Sequence, residues 1–157
     1  MGNIVFNIAK GKVAEYAARV NANDPTNAVL LVVPVLTAGI EADSVLIDKD
    51  TLSDVFSGTT DEATAGGWNR KTLDQTGGIT VTVDDGNDRV DVDIPDQTWT
   101  AVAAGNNVSA LLICYDSDSA AGTDANVVPM TKHDFVVTTD GSDITAQIAA
   151  AGFFRAA

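Results

Sequence analysis

Ile79-Thr80-Val81-Thr82-Val83 and Val90-Asp91-Val92-Asp93-Ile94, joined by Asp84-Asp85-Gly86-Asn87-Asp88, decide the fold class of this chain. Both outer segments alternate apolar and polar residues, the period of a strand buried on one face. The joining segment holds the Asp, Gly and Asn that tight reversals require, so the whole reads as a β-hairpin. Period two puts Val90, Val92 and Ile94 on one face. It turns Asp91 and Asp93 to the other, toward water, since an unpaired carboxylate in a core is costly.

Outward from the hairpin, short apolar stretches recur with Gly, Asn, Asp and Ser between them. Toward the C-terminus they predict strands at Thr98 to Val102, Ala110 to Tyr115, Asn126 to Met130, Phe135 to Thr139, Ile144 to Ile148 and Phe153 to Ala156. Asp140-Gly141 reads as a second hairpin turn. Toward the N-terminus, Ala28 to Leu36 is a nearly continuous aliphatic run whose β-branching favours a buried strand. Pro34 cannot donate to a ladder, so that strand is interrupted there or has an edge. Trp68 to Leu73 is extended, and Asp50 to Phe56 predicts a short helix capped by Thr51 with Asp54 three residues on.

The first residues differ. Ile4, Phe6 and Ile8 alternate over Asn3 to Ala9, which predicts a strand or extended arm. Val13, Tyr16, Ala17 and Val20 then fall at helical spacing, giving a helix over about Lys12 to Asn21 that Asn23-Asp24-Pro25 ends. These observations predict a mainly β chain: an antiparallel β-sandwich or barrel-like domain with one short N-terminal α-helix. Residues 1–27 form the arm and helix, and residues 28–157 a single antiparallel β domain.

Composition narrows the function classes. The 157 residues carry 22 acids and 9 bases, a net charge of −13. Such a chain repels phosphate, which argues against nucleic-acid and anionic-membrane partners. The longest apolar run is too short to span a bilayer, and the first twelve residues lack a signal-like apolar region, so synthesis and retention in the cytoplasm are expected. The charge is split. Residues 1 to 20 hold Lys10, Lys12 and Arg19 against Glu15, a net of +2, and the remaining 6 bases and 21 acids give −15. Lys10, Lys12 and Arg19, with Ile4 and Phe6, are therefore the candidate docking residues for an acidic partner surface.

Little else suggests chemistry. Cys114, the only cysteine, sits in an apolar run and reads as a buried small hydrophobe, and His133 is the only histidine that could activate it. Asp116-Ser117-Asp118 with Gly122 and Asp124 faintly echoes a calcium loop, but Ala120 takes a ligand position and no Glu closes it. Asp84, Asp85 and Asp88 read as turn formers. No glycine pattern forms a phosphate cradle. Trp68 and Trp99 read as core anchors. No catalytic, cofactor or metal residues are expected.

Several stretches, taken in order, resemble small structural proteins of tailed bacteriophage virions. They are Ala28-Val29-Leu30-Leu31-Val32-Val33, Gly66-Gly67-Trp68-Asn69-Arg70-Lys71-Thr72-Leu73, Val81-Thr82-Val83-Asp84-Asp85, Asp88-Arg89-Val90-Asp91-Val92-Asp93, Thr98-Trp99-Thr100-Ala101, Ala110-Leu111-Leu112-Ile113-Cys114-Tyr115-Asp116 and Ala151-Gly152-Phe153-Phe154-Arg155. The resemblance implies a non-enzymatic particle component of the capsid decoration (cement) or tail-associated type. It would be made in the host bacterial cytoplasm and lodged on the capsid surface. Its expected partners are the major capsid protein and further copies of itself, a trimer being favoured by icosahedral symmetry. A tail or neck component is the nearest alternative. A host-surface or glycan-binding adhesion module is the alternative of another class, disfavoured by an aromatic content of 6%.

Overall fold

In a computed structural model, which describes residues 2–157, two apolar layers lie on opposite faces of one central sheet. That sheet is antiparallel, in the order β1 (Ile4–Val5), β8 (Val128–Val137), β7 (Val108–Asp116), β2 (Val29–Leu36), β3 (Lys71–Leu73). All nine residues of β7 are buried, because both of its faces are covered. Alternation survives inside the continuous apolar runs. Leu30, Val32, Leu111, Ile113 and Tyr115 join the first layer, while Val29, Leu31, Val33, Ala110, Leu112 and Cys114 join the second.

The first layer is roofed by α1 (Val13–Ala22) and a three-stranded sheet of β4 (Thr80–Asp84), β5 (Arg89–Asp93) and β10 (Phe154–Ala156), in the order β10-β5-β4. A two-stranded sheet of β6 (Gln97–Trp99) and β9 (Ile144–Ala146) adjoins them. Val13, Ala17 and Val20 of α1 are wholly buried there, as the helical spacing requires. Trp68 and Trp99 pack edge to face at 4.9 Å in this layer, each indole N–H donating to a backbone carbonyl. The second layer is roofed by α2 (Asp43–Leu46) and α3 (Leu52–Val55), with Phe6 wholly buried beneath them. The chain is thus mainly β and antiparallel, with a sandwich-like arrangement and a few short helices.

The predicted hairpin forms. Val92 pairs with Val81 and is fully buried, and the Asn87 N–H donates to the Asp84 carbonyl across the turn. The cap at Thr51 is a complete capping box with Asp54. Pro34 does not interrupt β2. Its carbonyl accepts from the Ala63 N–H, so its nitrogen also faces the short 61–63 segment, bridged at Val35 and Glu62, and the β7 ladder on the other side is left intact.

Four expectations need correction. Asn126 to Met130 and Phe135 to Thr139 are not two strands; one ten-residue strand, β8, runs through the polar stretch between them. Asp140-Gly141 turns the chain but closes no hairpin, since β9 pairs with β6 and not with β8. Asn3 to Ala9 is extended only at Ile4–Val5 and then enters a 3₁₀ turn, Asn7–Ala9. Asp91 is not turned to free water. Arg155 and Arg89 pair with it at 2.6 and 3.2 Å, and hydrogen bonds from Arg155 lower its pKa.

Gly152 explains how the C-terminal strand reaches β5. It lies at φ +81°, and a Cβ there would stand 2.2 Å from the Val92 carbonyl oxygen. Only glycine allows this approach, after which the Phe153 N–H donates to Val92 and β10 pairs along β5.

Candidate docking surfaces and a lined crevice

The five candidate docking residues fall into three environments. Lys10 and Lys12 are exposed, flanking Gly11 in the turn before α1, and neither makes an ion pair among the described residues. Arg19 lies two turns along the helix, roughly 10 Å on, and is already held at 3.0 Å by Glu15. Ile4 is half-buried in β1 and Phe6 has no exposed surface, so Phe6 serves the core and not an outward contact. The fold therefore presents Lys10 and Lys12 together, leaves Ile4 half-buried and places Phe6 in the core.

Sequence reasoning missed a buried charge network nearby. Lys132 of β8 has no exposed surface. Its ammonium donates to the Gly2 carbonyl at 2.7 Å and to Asp134 at 2.8 Å, and stands 3.1 Å from Asp43. Asp43 also accepts from the Gly2 N–H at 2.6 Å. Burial pushes the Asp43 carboxyl up, but the Gly2 and Lys132 contacts outweigh it and its pKa is lowered. This network ties the first residues, α2 and β8 together. A buried lysine would be untenable without such partners. The nearby Asp134 was the only local hint, since Asp43 lies far away in sequence.

A second network joins Arg70 to Glu62 and Asp124, with paired hydrogen bonds to each carboxylate between 2.6 and 2.8 Å. Asp124, part of the faint calcium echo, is thereby consumed, and its pKa is lowered first by the Arg70 hydrogen bonds. Asp118 accepts from Asn27 and from the Ala120 N–H. Among the described residues no three His, Cys, Asp or Glu side chains converge as a metal would require.

His133 and Cys114 are on opposite faces of the central sheet. Cys114 lies in the second layer, where burial raises its pKa and keeps the thiol protonated. His133 lines a crevice of about 270 Å³ on the first face, with Leu111, Ile113, Phe135, Ile148 and Phe153. Its Nε2 is 2.9 Å from the Thr131 hydroxyl, and its ring meets Phe153 edge to face at 6.0 Å. Burial, then the Lys132 charge, depress its pKa to about 4, so the imidazole is neutral at pH 7. The sheet between them prevents a Cys–His couple.

The hairpin tip is the other open surface. Val83 is 66% exposed there. With Val90, Arg89 and Ala156 it lines a shallow saucer of about 400 Å³ rimmed by Asp85 and Asp88. No helix among the described residues is long and apolar enough to cross a membrane.

No protein-family model matches this chain, and neither a curated protein nor a solved structure matches it.

Proposed function

We propose that this chain is a non-enzymatic structural protein of a tailed-phage particle, a decoration protein that binds the outer head surface and stabilises it. The observation that carries the reading is the ordered set of segments from Ala28 to Arg155 that resembles tailed-phage structural proteins. Those segments supply strands β2 to β7 and β10, the frame of the molecule. Its charge economy supports the same reading. Arg70, Lys132, Arg89 and Arg155 are all engaged in networks that lock one element to another. Such a body suits passive reinforcement. A protein that binds the assembled shell and not its dissociated subunits stabilises the shell by mass action. An acidic outer surface keeps particles apart, and the exposed Lys10 and Lys12 offer a contact to an acidic capsid face.

Purified protein added separately to heads and tails of the particle that encodes it tests the reading. Saturable binding to heads, with a raised temperature of shell disruption, is the expected result. Binding to tails alone would replace it with the tail or neck role. Binding to neither would remove the particle assignment. Replacing Lys10, Lys12 and Arg19 together by Glu is expected to lower head occupancy about tenfold at low salt, with Lys10 and Lys12 accounting for most of the loss. Unchanged occupancy would detach the basic turn from docking.

A further inference from the structure

The edge strands of this fold are not alike. β1 has two residues, β3 carries Lys71 and β10 carries Arg155, and brevity and charge both discourage further pairing. β8 extends beyond the cover of β1, but there it is bulged: Asp134 and Val137, three residues apart, face Ala110 and Val108, two apart. The Asn3 side chain also occupies its Asp134 N–H. Strand β4 is longer than β1, β3 and β10 and is not bulged, and its one charged residue, Asp84, lies at its end and is paired with Arg89 at 3.1 Å. Thr80-Val81-Thr82-Val83-Asp84 is regular, contains no Lys or Pro, and has a partner on one side only.

The register shows which groups are free. The Val92 carbonyl accepts from the Phe153 N–H, so it faces β10. Val92 and its opposite residue, Val81, therefore exchange no hydrogen bonds. The bonded pairs are Thr80 with Asp93, Thr82 with Asp91 and Asp84 with Arg89, and the backbone groups of Val81 and Val83 point away from the sheet. The same alternation directs the Ile79 carbonyl outward, where the Asn21 amide donates to it at 3.1 Å. Beyond Ile79, nothing among the described residues bonds the outward groups of Val81 and Val83.

The surroundings of this edge are acidic. Asp85 and Asp88 are exposed and make no ion pair among the described residues. They rim the saucer whose floor includes Val83 and Val90. We propose that the free edge of β4 accepts an extended segment of a partner protein that carries Lys or Arg, which adds a fourth strand to the hairpin sheet. Its backbone bonds Val81 and Val83, an apolar side chain covers the saucer, and its basic residue meets Asp85 and Asp88. A second copy of this chain fits less well. Antiparallel self-pairing about Thr82 sets Asp85 of one copy beside Ile79 of the other. There the Asn21 amide and the negative end of α1 already stand. The surface rests on this geometry and is independent of the particle role.

A blocked peptide of alternating Val and Thr with Lys at both ends, and its Glu-ended counterpart, test the proposal by amide hydrogen exchange on the whole protein. The Lys-ended peptide is expected to slow exchange at Val81 and Val83 about tenfold or more, leaving the ladder amides of Thr82 and Asp84 unchanged. Val83→Pro removes an outward donor and is expected to abolish the effect. The double change Asp85→Asn and Asp88→Asn, which leaves the strand untouched, is expected to weaken binding about tenfold at low salt. No slowing at millimolar peptide, or equal binding of the Glu-ended peptide, would overturn it. So would slowing that grows with protein concentration without peptide, which would assign the edge to a second copy.

Discussion

The two faces of the central sheet are covered by different means. The first carries α1, the hairpin sheet, the β6–β9 pair and the tryptophan pair, assembled from segments spread along the whole chain. The second carries two four-residue helices and Phe6, drawn mostly from residues 43–56. A distant roof leaves seams, and the His133 crevice and the open hairpin tip both lie on the first face. A local roof closes over its face, and Cys114 there has no exposure. The sharpest way to break this contrast lies within the hairpin. Val92, at its root, has no exposed surface and Val83, at its tip, is 66% exposed. Val92→Asp is expected to cost about 4 kcal/mol or more in urea unfolding, since it buries an unpaired carboxylate. Val83→Asp is expected to fall within about 0.5 kcal/mol of the parent. Equal effects would mean that the tip is packed and the first roof has no seam.

Legibility follows the same division. The hairpin, β2, β7, α1 and the Thr51–Asp54 cap were visible because each is specified by residues within a few positions of one another. β8 was not. Thr131-Lys132-His133-Asp134 looks like a break because a charged side chain rarely enters a core. Its compensation comes from Asp43 and the Gly2 carbonyl, which no local pattern announces. Asp91 misled for the same reason: alternation gives its direction, but Arg155 lies 64 residues away. Of the docking residues, the exposure of Lys10 and Lys12 agrees with their charge, whereas Phe6 alternates correctly and faces inward. The crevice was invisible because its walls come from β2, β7, β8 and residues 146–153.

The crevice gives the second test of the contrast. His133 is depressed to about 4 in the folded protein, against an ordinary value of about 6.5. The unfolded chain therefore binds the proton first as pH falls. Stability from the neutral ring is complete above pH 6.5, declines between 6.5 and about 4, and falls no further below that. The loss is expected to reach at most about 3 kcal/mol. The lowered carboxyls of Asp43, Asp91 and Asp124 act in a separate window, below the usual carboxylate range. His133→Phe keeps a ring in the crevice without a proton site, and its urea midpoints are expected to stay level from pH 6.5 to 4.5 while the parent declines. A parallel decline would place the pH sensitivity outside the first face.

The mildest expected loss is on the second face. Thr51 accepts from the Asp54 N–H at 3.0 Å, and the Asp54 side chain accepts from the Thr51 N–H at 3.1 Å. This closed pair starts α3, which buries Leu52 and Val55 against the second layer, and the Leu52 N–H donates to the Val127 carbonyl beside β8. Thr51→Ala removes one of the two bonds and is expected to cost about 1 kcal/mol. Because the roof is local, the opening should be local too. Faster hydrogen exchange is expected at residues 51–56, and faster modification of Cys114 by a small thiol reagent, with His133 and the hairpin unchanged. If exchange instead rises equally in the hairpin, the two roofs open as one unit and their separate assembly has no energetic counterpart.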